Sequence, residues 1–274
     1  MTLGKAIQIY LAEGNPQGIK ICDINTSIAK GFLIPRDKLK DLDKYEESNR
    51  PSIYFLIKIK EEINSFEVYI GETEGLKSRM NTHDGDLKKD WDIAISFSSD
   101  KNNLNKAHLK FLENHCYIEA KRIARVKVMN TNIPSASILT KQEEDLALTF
   151  FNDVRVLLST LGFSIFEEIK YADSEDKLYL IFKDAKAVGS FTDEGFIVFK
   201  DSTVNIIEQP SAEGLSLHRL RERLVEERVL IKENEKIYRF TKNYLFGSPS
   251  TAGAVVRGGN TNGWIVWKDK NGKT

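Results

Sequence analysis

The chain has little cysteine: two residues in 274, Cys22 and Cys116, far apart and in no Cys-x-x-Cys pair. That excludes a cysteine zinc knuckle and a disulfide framework, and two reduced thiols suit a cytoplasmic protein, which is the expected location. It has no run of about eighteen apolar residues, the length a membrane helix needs. Met1 to Leu11 carries one lysine in an alternating pattern, so neither a signal peptide nor a membrane span is expected. It also lacks net charge, with 40 Lys plus Arg against 40 Asp plus Glu. No global basic surplus advertises nucleic acid, and any site for a polyanion must be a local patch. There is no internal repeat or low-complexity tract.

What is present is an ordinary globular composition, 41% hydrophobic and 29% charged, over a length sufficient for two domains. Ala6 to Leu11 and Gly18 to Ile24 alternate around Gly14-Asn15-Pro16-Gln17-Gly18, which predicts an opening hairpin. After Gly31 to Ile34 and Pro35, the spacing of Leu39, Leu42 and Tyr45 predicts a short amphipathic helix. Ile53 to Ile59 and Glu67 to Gly71 read as a second hairpin across the mostly polar link Glu61 to Ser65. Leu76 to Thr82 then reads as a helix, and Trp91 to Phe97 as a third strand with its odd-numbered residues on one face. Asn103 or Asn105 is expected to cap a helix to about Ala124, and a further helix runs from about Thr140 to Leu161, ended by Gly162.

The boundary falls between about 162 and 176. Beyond it, Leu178 to Phe182, Ala185 to Phe191 and Phe196 to Phe199 read as an antiparallel meander. They precede a charged helix Ser216 to Glu227, a strand Ile237 to Phe240 and a helix opened by Ser248-Pro249. Asn262-Gly263 is read as a turn into Trp264-Ile265-Val266-Trp267. If those four form one strand, Trp264 and Trp267 point to opposite faces and one can be exposed.

Hydrolysis of a phosphodiester needs an activated water, charge on the non-bridging oxygens and help for the leaving oxygen. Tyr54 and Tyr69, on paired strands, can place two phenols at one edge of a sheet; with a reference pKa of about 10, a phenol needs positive charge nearby to act as a base. Gly71 is read as a sharp turn toward the helix bearing Arg79, and Arg79 and His83 are four apart on one helical face. Glu113 on a separate helix can hold a divalent cation, with waters and phosphate oxygens filling the other positions as magnesium prefers.

Ser52-Ile53-Tyr54, Tyr69-Ile70-Gly71, the interval from Tyr69 to Arg79, His83 one turn later and Leu112-Glu113 within a helix together resemble the GIY-YIG nuclease superfamily. The resemblance extends to a bacterial subgroup with an N-terminal extension and a C-terminal domain of unknown function. Its landmarks are matched by Gly14 to Gly18, Ile34-Pro35-Arg36, Phe97 to Lys101, Asn103 to His108 and Ser248-Pro249-Ser250. It implies an α+β fold: an extension over 1–50, a nuclease domain over 51–162 with a central three-stranded antiparallel sheet flanked by helices, and a small α+β domain over 176–274. It also implies that Tyr54 and Tyr69 are the paired active-site tyrosines and that Arg79 contacts the scissile phosphate. His83 is then a base or proton relay, and Glu113 the ligand of Mg2+ or Mn2+. Asn130 matches the family's late asparagine and is placed, with Gly71, among the substrate-binding residues. One departure is Ser52, where glycine usually stands.

The function expected is a metal-dependent DNA endonuclease. The alternatives are a non-cleaving nucleic-acid binding or regulatory protein on the same fold and an RNA-directed nuclease. A single site cuts one strand at a time, so double-strand cleavage requires dimerisation or repositioning. Several residues also have plainer readings. Strand tyrosines are usually core aromatics, Arg79 and His83 alone are a solvated helix face, Glu119 rivals Glu113, and His108 and His115 beside Cys116 complete no tetrahedral set. Arg219, Arg221, Arg223 and Arg228, with Trp264 and Trp267, can grip phosphates and stack on bases. They are interleaved with Glu222, Glu226 and Glu227, so a solvated charged helix is the simpler expectation.

Overall fold

A computed structural model describes residues 4–60, 66–85, 90–99, 101, 103–168, 177–207 and 215–273. The link Glu61 to Ser65, expected to join the second hairpin, lies outside them. The chain is α+β and divides into two units, Met1–Glu168 and Ile169–Thr274. Among the described residues no helix is long and apolar enough to cross a membrane.

In the first unit seven strands share one sheet. They are β1 (Ile7–Leu11), β2 (Lys20–Ile24), β3 (Ala29–Pro35), β4 (Ser52–Ile59), β5 (Phe66–Thr73), β6 (Ile93–Ser99) and β7 (Lys127–Val128), in the order β1-β2-β3-β6-β4-β5-β7. All neighbours are antiparallel except β5 and β7. The sheet thus has seven strands, where three were expected at the centre of the domain. β6, β4 and β5 do lie side by side, but β3 pairs along the whole of β6, from Ala29 opposite Ser99 to Pro35 opposite Ile93. The hairpin of the first fifty residues thus continues the sheet.

β4 is apolar without a break from Ile53 to Ile57 because both of its faces are covered there. Ile53, Phe55 and Ile57 join Val68, Ile70, Ile95 and Phe97 in a core closed by α2 (Lys106–Ile123) and α3 (Lys141–Thr160), which contribute Leu109, Leu112, Phe150 and Val154. Tyr54 and Leu56 point the other way, toward Phe32 and Ile34, under α1 (Leu76–Asp84) with Leu76 and Met80. The amphipathic helix expected after Pro35 is a 3-10 helix, Arg36–Lys44, whose buried Leu39 and Leu42 eclipse one another at that helix's three-residue repeat. Asn105, not Asn103, caps α2. Its side chain accepts the N–H groups of Ala107 and His108, and His108 returns the interaction. Thr140 and Glu143 form the same box at the start of α3.

Trp91 was expected on the face of Ile93, Ile95 and Phe97, but it precedes β6 and packs in the opposite core, its ring under the Arg36 guanidinium at 5.2 Å. The main chain at Asp92, tied to Ile57 and Arg36, departs from strand alternation there.

The second unit holds two small sheets. β8 (Leu178–Phe182), β9 (Ala185–Thr192), β10 (Gly195–Val198) and β14 (Tyr244–Phe246) run in the order β14-β10-β9-β8; β12 (Leu230–Lys232), β13 (Ile237–Phe240) and β11 (Thr203–Asn205) form the other, in the order β11-β13-β12. Three helices accompany them: α4 (Leu215–Glu226), α5 (Pro249–Arg257) and α6 (Gly263–Val266). The expected terminal strand is thus a helical turn. The Asn262 side chain accepts the Trp264 N–H and starts the turn, and Gly263 lies so close to the backbone of Pro249 and Ser250 that no side chain fits there. Trp267 is buried, its indole N–H donating to Pro249 O at 3.0 Å, while Trp264 is 66% exposed.

The arginines of α4 are not one phosphate-facing row. Arg221 is buried and donates to the carbonyls of Asn205, Ile206 and Val255, and Arg223 donates to the Tyr244 hydroxyl.

Candidate active site

The site is organised by the outer edge of β5. The short partner β7 reaches only Glu67 and Val68, so the outward main-chain groups further along β5 need other partners. At Val68 the carbonyl accepts the Met129 N–H at 2.8 Å. Two residues on, Ile70 is gripped by the Asn130 amide, which accepts its N–H at 2.9 Å and donates to its carbonyl at 2.7 Å. At Glu72 the N–H donates to the Glu113 carboxylate. The sheet is thereby continued by side chains, and Glu113 is fixed at the strand's edge. Asn130, expected among the substrate-binding residues, has both amide atoms committed to this strand.

The phenols occupy one face of the same strand pair. Tyr54 is opposite Gly71 in the register, and its ring lies across that glycine. A Cβ at residue 71 would sit 2.9 Å from Cε1 of Tyr54 and closer still to Cζ and the hydroxyl. Gly71 lies within β5 and no turn uses it. Its role is to leave room for the phenol, which corrects the turn inferred from the sequence.

The Tyr54 hydroxyl receives the Arg79 Nε–H at 2.9 Å and stands 2.8 Å from His83 Nε2. Because Arg79 can only donate, the phenol's own proton is available to an unprotonated His83 Nε2. Tyr69 stacks beside Tyr54 at 6.3 Å, meets the His83 ring edge-on at 5.5 Å, and also receives a hydrogen bond from Arg79. Tyr54 and His83 are buried, while Tyr69 and Arg79 are half-buried. Burial pushes the Tyr54 phenol well above its usual range, and its hydrogen bond from Arg79 only partly opposes this. Tyr54 therefore stays protonated at neutral pH.

Glu113 is raised from 4.5 to about 6, first by burial and then by the neighbouring Glu72 carboxylate, against the lowering effects of Arg79 and Lys106. Two carboxylates side by side at a strand edge concentrate negative charge there. Lys106 answers part of it by pairing with Glu72 at 2.8 Å. Glu72 and Lys106 were not singled out in the sequence; position 72 follows the Tyr-Ile-Gly tripeptide directly, and only the accounting of the β5 edge brings it forward.

The structure thus brings Tyr54, Tyr69, Gly71, Arg79, His83 and Glu113 together around one stretch of β5. The rivals are engaged elsewhere: Glu119 pairs with Arg122 at 2.9 Å, His108 belongs to the α2 cap, and His115 is wedged between Phe111 and Phe151. Among the described residues no group of three or more His, Cys, Asp or Glu gathers as a ready cation cage.

A family model described as a domain of unknown function (DUF4357) matches residues 178–274. No curated protein and no solved structure matches the chain.

Proposed function

We propose that the unit over residues 1–168 is a metal-dependent endonuclease of the GIY-YIG type that hydrolyses DNA phosphodiester bonds. The observation that supports it best is the convergence of a guanidinium, an imidazole, two phenols and a carboxylate of raised pKa on one strand edge. The donor set suits Mg2+ or Mn2+, since Glu113 is a half-buried oxygen ligand beside a second carboxylate, and magnesium is commonly held by one or two carboxylates plus waters and phosphate oxygens. Such an ion supplies Lewis-acid charge for the phosphate and the leaving oxygen.

The chain's own groups divide the remaining work. Arg79 is oriented by both phenols and presents its outer N–H groups to a non-bridging oxygen. Tyr54, buried and protonated, holds Arg79 and His83 in register. Tyr69, the half-exposed phenol, and His83 are the two candidates for the base that takes the proton as the water oxygen bonds to phosphorus and the leaving oxygen departs.

Supercoiled plasmid incubated with the full chain and Mg2+ or Mn2+ is expected to become nicked, and Glu113→Ala is expected to abolish the nicking. No product in either metal, or equal product from Glu113→Ala, refutes the proposal. DNA binding without metal-dependent product assigns the chain to non-cleaving recognition instead, and parallel labelled RNA separates the RNA-directed alternative.

A further inference from the structure

In the second unit a groove of about 730 Å³ opens beside β8, the edge strand of its sheet. The groove exists because β8 is only half covered on its outer side. Tyr179 exchanges two main-chain hydrogen bonds with Lys268, at 2.7 and 3.0 Å. At the next outward position, Ile181, no strand lies alongside among the described residues, and the residue is 73% exposed.

Two chemistries line this space. Ile181, Phe182 and Ile265 give an apolar floor; Arg257, Lys268 and Lys270 bring positive charge to it. Arg257 is held over the Phe182 ring at 4.2 Å and donates to Thr261. The one carboxylate in the lining, Asp269, accepts the N–H groups of Asn271 and Lys273 within its own turn. Next in the chain to Ile265 stands Trp264, stacked on the exposed Phe191 at 5.2 Å and 25°. Phe191 is anchored edge-on against the buried Phe196 at 5.2 Å, and its exposed part carries the Trp264 ring.

A ligand that satisfies both chemistries must offer flat apolar faces and regularly placed negative charge. Unstacked bases on a phosphodiester chain do so, whereas an acidic peptide brings the charge without the faces. We propose that this groove binds single-stranded nucleic acid, with a base stacked on the Trp264–Phe191 pair and phosphates received by Arg257, Lys268 and Lys270. This site is built from residues of the second unit alone, and its occupation does not rest on cleavage.

Trp264 makes the proposal directly readable, because the other two tryptophans of the chain, Trp91 and Trp267, are buried. The full chain is titrated with a twelve-nucleotide oligothymidylate in EDTA, so that binding is read whether or not the protein cuts. Saturable quenching of tryptophan fluorescence is expected, and Trp264→Phe is expected to remove it. Lys268→Glu with Lys270→Glu is expected to raise the Kd about tenfold and to flatten the log Kd against log salt slope by about 1.4, or two single-strand phosphate contacts. Trp264, Lys268 and Lys270 are exposed, so these variants keep the fold. Absence of quenching, or a Kd unmoved by the lysine reversals, overturns the proposal. Equal quenching by a twelve-residue glutamate peptide also overturns it and assigns the groove to an acidic protein partner.

Discussion

Replacing Gly71 with alanine adds one methyl group at the position where the Tyr54 ring crosses β5. The new carbon would lie within 3 Å of three phenol atoms, so either the ring leaves or the strands part. Overpacking of this kind costs about 1–3 kcal/mol. Expelling the phenol also breaks its interactions with Arg79 Nε and His83 Nε2, at about 1 kcal/mol each. The expected loss is therefore about 3–5 kcal/mol, a large part of a typical domain's stability. In a Tyr54→Ala background the same methyl enters vacated space. There Gly71→Ala is expected to be neutral or slightly stabilising, because glycine in a strand loses more backbone entropy than alanine. Urea-dependent hydrogen exchange of peptides from β4 and β5 in the full chain measures all four corners of this cycle. Additivity within about 0.5 kcal/mol would show that the glycine is not there for the ring.

Glu113→Gln tests the raised carboxyl. A folded pKa of about 6 against 4.5 means that the stability contribution is full below pH 4.5 and is lost as pH rises through 6; solvent screening of this half-exposed carboxylate holds the penalty at pH 7.5 to about 1 kcal/mol. In EDTA the glutamine variant should be more stable than wild type by up to that amount at pH 7.5 and equal to it at pH 4.5. Urea midpoints at the two pH values decide, and a less stable variant at pH 7.5 contradicts the assignment. Asn130→Ala removes both bonds to Ile70 and should cost about 1–3 kcal/mol, with the Ile70 amide losing exchange protection before its β4 neighbours do. Arg221→Met leaves three carbonyls, two of them buried, without their donor and should lower the melting temperature of the second unit while nicking by the first is unchanged; unaltered melting would show that water replaces the guanidinium.

Much of this was legible in the sequence wherever local rules decide. The strands of the second hairpin, the helix starting near Thr140, the capping residue Ser248 and the small-residue helix α5 follow from apolar runs, turn formers and end signals. What was not legible depends on partners far away in the chain. A glycine after two apolar strand residues reads as a turn until the register sets Tyr54 opposite it. Glu72 alternates away from Tyr69 and Gly71, and it matters only because β7 stops short and α2 brings Glu113 to its N–H. The four residues Trp264 to Trp267 carry too few positions for a period to show, and the Asn262 cap settled them as helix.

The pairing of β3 with β6 bears on how this protein can be cut into pieces. A fragment beginning near residue 51 would keep the phenols, Arg79, His83 and Glu113, yet it would expose the whole flank of β6, a seven-residue strand without a charged side chain. A bare, uncharged, seven-residue edge invites pairing with another copy. The smallest soluble fragment that keeps the candidate site is thus expected to need β1 to β3, which makes the first fifty residues the guard of an edge as well as an extension of the sheet.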